Sequence, residues 1–410
     1  MKASLALTER SCVAPVPAPP SKSMSHRLLV CAGLSAGESV IANVAYSEDI
    51  LATMDCLRAL GATVTAEGDT VRVVGADPRC ALSAELCCRE SGSTLRFFVP
   101  LCLLSGAETR LRCAEGLARR PMDVYETLCA EQGLLCRASS GVRTVRGPLQ
   151  PGRFAISGAV SSQFVSGLLF ALPLLDGDSV IELTPPVVSR SYIELTRKAQ
   201  EAFGVVSEWE GETTLRVPGA QRYRARNARV EGDWSNAAFF LALGAEVSGL
   251  DPDSAQGDRI VVHYMKALEE SFASCDLQDC PDLGPVLFVW AALHKGGRFL
   301  NVERLRIKES DRVACMAEEL AKFGVRTGEA SDGSFTVFPG PIAQPREPVC
   351  GHNDHRIVMA MSILAAKTRG AITGAEAVRK SCPDFFGRLR ALGISVEIED
   401  EDGEAKNDEL

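Results

Sequence analysis

The sequence predicts an α/β chain of two domains, each assembled from three copies of one β/α unit. Two periodic features and the chain length carry that prediction. Six segments share one form, in which polar residues lead into a small and apolar run that stops at glycine: 23–37, 91–106, 162–177, 235–249, 285–296 and 356–370. Their terminal glycines are separated by 69, 71, 72, 47 and 74 residues, so a period near 70 survives one shortened copy. A second form follows the first, clearest at 57–64 and echoed around Gly133, Gly204, Gly324 and Gly393, whereas the copy near 268–273 lacks its glycine. The 410 residues exceed what one ordinary core organises.

Along the chain, each element has its own justification. A strand before Pro15 is expected to cross to the C-terminal half, with Pro15, Pro17, Pro19 and Pro20 making a stiff, extended connection. Each first-form segment reads as a helix that is apolar on nearly all sides and therefore buried. Each second-form segment reads as an amphipathic helix ended by a left-handed glycine, then a short alternating strand such as 62–65 or 394–398. The halves should meet near 225–232. This gives one domain of residues 15–230 with repeats 1–3 and a second of 1–14 plus 231–410 with repeats 4–6. The acidic segment from Glu397 onward reads as a solvated tail.

Composition excludes several classes of function. A net charge of -9 argues against nucleic acid or an anionic membrane surface as the main partner, while leaving room for a local cationic cluster. The longest apolar runs, 168–175 and 286–293, fall far short of the roughly 20 residues a bilayer requires. Fifteen cysteines without a C-x-x-C pair read as small buried hydrophobes in a reducing compartment rather than a zinc site. A cytoplasmic monomer without metal or cofactor is expected.

The chemically loaded residues gather at the starts of the buried helices, where unpaired N–H groups and the helix dipole favour anions. Lys22, Ser23 and Arg27 lie in Ser21-Lys-Ser-Met-Ser-His-Arg27, with Ser23 and Arg27 on one helical face. The same segment reads equally as a cap with two solvated cations. Gly92, in Glu90-Ser-Gly-Ser-Thr-Leu-Arg96, lets a ligand approach the backbone. Ser161, Ser162 and Gln163 open the third buried helix, and taken singly a plain cap is the better reading of both segments. Arg119 and Arg120 are either a surface turn or an anion clamp. Lys308, Glu309 and Arg312 crowd opposed charges into five residues, and Asn353-Asp-His-Arg356 leads charge into the sixth buried helix. Asp282 precedes the fifth buried helix and has a good reading as its cap, and Lys380 has one as an ordinary surface lysine.

Taken in order, SKSMSHR, ESGSTLR, ARRPM, SSQFVSGLL, EGDWSNAAFF, CPDLGP, RIKESDR, NDHR and CPDFFGRL resemble the enolpyruvyl transferase family over nearly the whole chain. The match is to the branch that acts on shikimate 3-phosphate. The resemblance implies a two-domain inverse α/β barrel with its active site in the interdomain cleft. It implies transfer of an enolpyruvyl group from phosphoenolpyruvate to the 5-hydroxyl of shikimate 3-phosphate. It further implies that Lys22, Ser23, Arg27, Ser161, Ser162, Gln163, Ser189, Asp282 and Lys308 contact shikimate 3-phosphate. Lys22, Gly92, Arg120, Gln163, Arg312, Arg356 and Lys380 are implied at phosphoenolpyruvate. Asp282, Glu309 and Lys22 are implied in proton transfer, and the inhibitor glyphosate is implied as a phosphoenolpyruvate mimic. Two positions depart from the family pattern: Pro20 replaces a glycine, and Arg304 replaces an asparagine that contacts the shikimate ligand. The alternative is the branch acting on UDP-N-acetylglucosamine. That branch carries Asn where this chain has Ser23, and a reactive Cys five residues before the arginine, whereas Cys113 lies seven before Arg120.

Overall fold

The computed structural model describes residues 1–7 and 15–399. The chain forms two compact units, Pro20–Glu231 and Met1–Pro19 with the segment from Gly232 on. Residues 15–19, expected with repeats 1–3, belong instead to the other unit, because Val16–Pro17 pairs in parallel with Val247–Ser248.

Within Pro20–Glu231 the three repeats are close copies. The buried helices are Lys22–Gly33, Gly92–Cys102 and Ser162–Ala171. Each is followed by a four-stranded sheet of one topology. In the first sheet, Ala228–Arg229 runs parallel to Glu38–Ala42. Thr70–Val74 lies antiparallel beside that strand, and Thr63–Glu67 forms the edge. The sheets around Thr109–Arg112 and Ser179–Thr184 repeat this order. Burial alternates along these strands, so one face covers the helices and the other meets solvent. The strands pair into separate sheets, and no closed barrel forms among the described residues.

The other unit repeats the plan with two adjustments. Its buried helices are Trp234–Ala242, Gly284–Leu293 and His355–Thr368, the last buried from His355 through Ala366. Its fourth repeat has only a two-stranded sheet. The chain leaves Val247–Ser248, enters helix Val261–Glu270, and passes directly to Ala273–Asp276 without a hairpin. That missing hairpin accounts for the short 47-residue step. The sixth repeat lacks a strand of its own in the third position. Lys2–Leu7 fills it, antiparallel both to Ala371–Thr373 and to Ile394–Glu399, with Leu5 opposite Val396. The N-terminal strand thus joins the C-terminal half, as its position before Pro15 suggested. Of the expected acidic tail, 397–399 belong to this strand pair, and the remainder lies outside the described residues.

The second helices end as the glycine pattern requires. Gly61, Gly133, Gly204, Gly324 and Gly393 all have φ between 67° and 101°, a region that penalises any Cβ. Helix Val261–Glu270 ends instead at an extended Ser271, which explains why no glycine is needed there. These helices bury a stripe only. In Arg312–Lys322 it comprises Arg312, Val313, Met316, Glu319 and Leu320, at helical spacing. Aromatic packing ties helix to sheet: Phe288 sits 4.7 Å from both Phe299 and Phe335, each contact worth about 0.5–1.5 kcal/mol beyond simple burial. No helix among the described residues is long and apolar enough to cross a membrane.

Candidate active site

In Pro20–Glu231 the predicted residues fall into three neighbouring groups. Ser21 caps the first helix by accepting from Met24 N, and the adjacent Lys22 pairs with Asp49 at 3.1 Å, both largely buried. Asp49 was not anticipated; its only sequence signal is its place in the first turn behind the Ser47 cap.

Arg27 forms the second group. Its side chain is 2% exposed, and it donates to Thr196 Oγ1 at 2.9 Å, Ser23 O at 2.7 Å and Tyr192 O at 2.9 Å. It also lies over the Phe97 ring at 5.3 Å. No carboxylate among the described residues pairs with it, and burial lowers its guanidinium pKa to about 10. A buried cation balanced only by neutral oxygens is costly without an anion. Ser189, predicted beside it, is buried with φ 55° and precedes the helix Arg190–Ala202 that carries Tyr192 and Thr196. His26 adds no charge here, because burial, then Lys22 and Arg27, drive its pKa well down. Its Nδ1 instead starts a hydroxyl chain through Thr53 at 2.7 Å and Thr94 at 2.8 Å to Ser91 at 2.7 Å, tying two helix starts together.

The third group surrounds Gly92. Gln163 accepts from Arg96 Nη1 at 2.7 Å and donates to Ser93 Oγ at 2.9 Å. Ser161 caps the third buried helix at Gln163 N, and Ser162 is its buried first residue. A Cβ on Gly92 would meet Arg96 Nη1 at 3.1 Å and Arg120 Nη1 at 3.2 Å. The two adjacent arginines therefore part company: Arg120 turns to Gly92, whereas Arg119 is taken up by Glu115 on an exposed one-turn helix, Glu115–Ala118. Arg96 was quoted in its motif without a role; its signal was spacing, one helical turn after Gly92.

In the other unit the predicted residues converge on Arg312. This guanidinium is 1% exposed and bonds Asp282 Oδ1 at 2.9 Å, Glu309 Oε2 at 2.6 Å and Asp354 Oδ2 at 2.8 Å. Burial opposes its charge, but Asp354, Glu309 and Asp282 outweigh burial and raise its pKa. Asp282 further receives Lys308 at 3.3 Å and Arg356 at 3.2 Å. The capping reading of Asp282 is thus wrong: the helix Gly284–Leu293 has no side-chain cap, and the carboxylate faces cations instead. Asp354, not anticipated, caps the sixth buried helix through Arg356 N at 2.9 Å while holding Arg312. It follows two non-glycine residues in the left-handed region, His352 and Asn353, an arrangement that costs energy and must be held. Glu319 holds His352 at 2.9 Å, and Lys380 Nζ holds the Asn353 carbonyl at 2.7 Å.

Glu318, Glu319 and His352 bring possible metal-ligand atoms within 4.8 Å of one another. Lys322 already stands 2.9 Å from Glu319 and Cys350 N donates to the same carboxylate, so positive charge is supplied from within. Cys113 points to Gly141 O at 3.5 Å, and burial raises its thiol pKa, which disfavours the thiolate a nucleophile needs.

Repeated helix starts loaded with cations and hydroxyls define a protein that handles small polyanions with positioned carboxylates. The family model described as EPSP synthase (3-phosphoshikimate 1-carboxyvinyltransferase) matches residues 9–268 and 253–389. The 3-phosphoshikimate 1-carboxyvinyltransferase of Clostridium kluyveri is 38% identical over 405 residues, covering 92% of this chain and 95% of the relative. That of Clostridium novyi is 37% identical over 410 residues, with 92% and 94% covered. Among solved structures, an EPSP synthase from Acinetobacter baumannii aligns with TM-score 0.77 at 21% identity, covering 96% of this chain and 99% of that one. The enolpyruvyl transferase NikO from Streptomyces tendae aligns at 0.72 and 15% identity, with 96% and 98% covered. The chain belongs to the EPSP synthase family.

Proposed function

We infer that this chain is a 3-phosphoshikimate 1-carboxyvinyltransferase that transfers the enolpyruvyl group of phosphoenolpyruvate to the 5-hydroxyl of shikimate 3-phosphate and releases phosphate. The observation that carries the reading is a family match that spans every cation-rich cluster described above. The hydroxyl adds to C2 while C3 gains a proton. The tetrahedral adduct then loses phosphate and a C3 proton. Substrates with two phosphates and two carboxylates between them call for many cations, and reversible proton steps call for carboxylates set among those cations.

In this reading Lys22, Ser23, Arg27, Ser161, Ser162, Gln163, Ser189, Asp282 and Lys308 contact shikimate 3-phosphate. Lys22, Gly92, Arg120, Gln163, Arg312, Arg356 and Lys380 serve phosphoenolpyruvate. Asp282 takes the proton of the attacking hydroxyl, and Glu309 exchanges the C3 proton, with Lys22 as the assisting cation. The enzyme is placed in the cytoplasm, where its described cysteines, none of them in a disulfide, stay reduced. Incubation with both substrates tests the function. Phosphate release that requires shikimate 3-phosphate is expected, and release with UDP-N-acetylglucosamine as the acceptor would overturn the reading.

A pH effect follows from Lys308. Burial pulls its ammonium pKa down to about 8, Asp282 opposes the shift, and Arg304 and Arg312 add to it. Lys308 is cationic below that value and neutral above it. The Kd of shikimate 3-phosphate should therefore rise as pH climbs from about 7 to about 9. Lys308→Arg, which keeps its charge, should flatten that rise. Calorimetric titration across the range is the check, and a flat profile in the parent protein would remove Lys308 from the phosphate site.

Gly92 offers a steric test. Its φ is not positive, so alanine is tolerated by the backbone, but the methyl presses on Arg96 and Arg120. Gly92→Ala should raise the Ki of glyphosate, which is longer than phosphoenolpyruvate, by at least about tenfold, or about 1.4 kcal/mol. The KM of phosphoenolpyruvate should rise less. Inhibition curves at matched substrate saturation measure this, and superimposable curves would exclude Gly92 from the pocket.

A further inference from the structure

The turn that opens the sixth buried helix is held from a place the proposed reaction does not use. Glu319 lies about two helical turns after Arg312 in Arg312–Lys322 and is 0% exposed. Its carboxylate accepts from Lys322 Nζ, Cys350 N and His352 Nε2, each at 2.9 Å. One helix therefore grips residues 350 and 352 through Glu319, and residue 354 through Arg312, whose Nε donates to Asp354 Oδ2 at 2.8 Å. Between these grips the turn Gly351–Asp354 closes, with Asp354 N donating to Gly351 O at 2.8 Å. Its central residues, His352 and Asn353, have φ 48° and 53°. Glycine, asparagine and aspartate dominate turns with two positive φ values. Histidine at the first central position forgoes that ease. What it offers instead is reach, since its ring extends to the buried carboxylate.

We propose that Glu319 and His352 are positioning residues for phosphoenolpyruvate, setting the turn that Arg312, Arg356 and Lys380 share. The proposal rests on the assignment of those three cations to phosphoenolpyruvate. Each is tied to the turn. Arg312 bonds Asp354, Arg356 N donates to Asp354 Oδ1 at 2.9 Å, and Lys380 Nζ donates to Asn353 O at 2.7 Å. A turn released from the left-handed region would shift these contacts together. A displacement of about 1 Å is enough to spoil a bound geometry. Arg27, assigned to shikimate 3-phosphate, takes its bonds from Ser23, Thr196 and Tyr192 instead. Loss of the Glu319 grip should therefore fall on one substrate more than on the other.

Two substitutions in the full chain separate reach from backbone preference. His352→Asn suits the turn, but its shorter side chain falls short of Glu319. His352→Gln extends an N–H to Glu319 and suits the turn less well. In steady-state kinetics His352→Asn should raise the KM of phosphoenolpyruvate about tenfold and that of shikimate 3-phosphate by no more than about twofold. His352→Gln should stay near the parent for both. Glu319→Gln, with one acceptor oxygen for three donors, should follow His352→Asn. Hydrogen exchange of the peptide spanning 350–356 should quicken in His352→Asn and Glu319→Gln and match the parent in His352→Gln. A parental KM in His352→Asn, or equal rises for both substrates, would overturn the proposal. So would a rise in His352→Gln as large as in His352→Asn, or faster exchange with KM unchanged. A parent chain that releases no phosphate would remove the function and the ligand named here with it. The exchange comparison would then still decide whether Glu319 sets the turn.

Discussion

Asp282→Asn and Glu309→Gln are each expected to lower turnover by roughly 10²–10⁴-fold, the usual contribution of a general acid–base group. Both carboxylates bond the same buried guanidinium, Arg312, and Asp282 also receives Lys308 and Arg356. The amides keep the shape and the hydrogen-bond acceptor but cannot carry a proton through the cycle. Affinity for the anionic substrates should hold or improve, because the cations lose a competing carboxylate. Steady-state kinetics paired with calorimetric binding separates the two effects. Near-parental kcat in either variant would take that carboxylate off the proton path.

Asp354→Ala should cost about 3–5 kcal/mol of folding stability, the range for breaking a buried ion pair. Asp354 is 0% and Arg312 1% exposed, so the remaining charge cannot reach water. The loss includes the cap on helix His355–Thr368, worth about 1 kcal/mol. Asp354→Asn keeps an acceptor for the cap and should lose less. Urea unfolding of the full chain measures the series. An alanine variant as stable as the parent would show that Asp282 and Glu309 alone balance Arg312.

The repeat was legible because its punctuation is local. A helix that ends left-handed favours glycine, and five glycines at φ 67° to 101° announced five helix ends from sequence spacing alone. The buried helices were legible because they lack a polar face. Asp282 was half legible. An aspartate before a helix has an obvious local use as a cap, and the residues that actually claim it lie 30 and 74 positions away. Asp354 and Asp49 were missed because the cation each one holds is distant in the chain: Arg312 lies 42 positions from Asp354, and Lys22 lies 27 from Asp49. For Arg27, the sequence displays the cation but not its surroundings. Thr196 and Tyr192, which leave it without a carboxylate, come from a helix more than 160 residues on.

The strand Lys2–Leu7 has a consequence for how the protein comes to exist. During synthesis this strand is made before any of the elements it pairs with, and Lys2 meets Glu399 across a sequence separation of 397 residues. The segment Pro20–Glu231 has its sheet partners within itself and is free to close while the ribosome is still working. The final sheet cannot close until Ile394–Glu399 has emerged. Until then the growing chain carries an unpaired strand, with bare N–H and C=O groups on both edges. Loop-closure entropy grows only slowly with length, so the long wait costs little in equilibrium stability. Its cost is exposure time, which makes this strand the place where a stalled or truncated chain would first find a wrong neighbour.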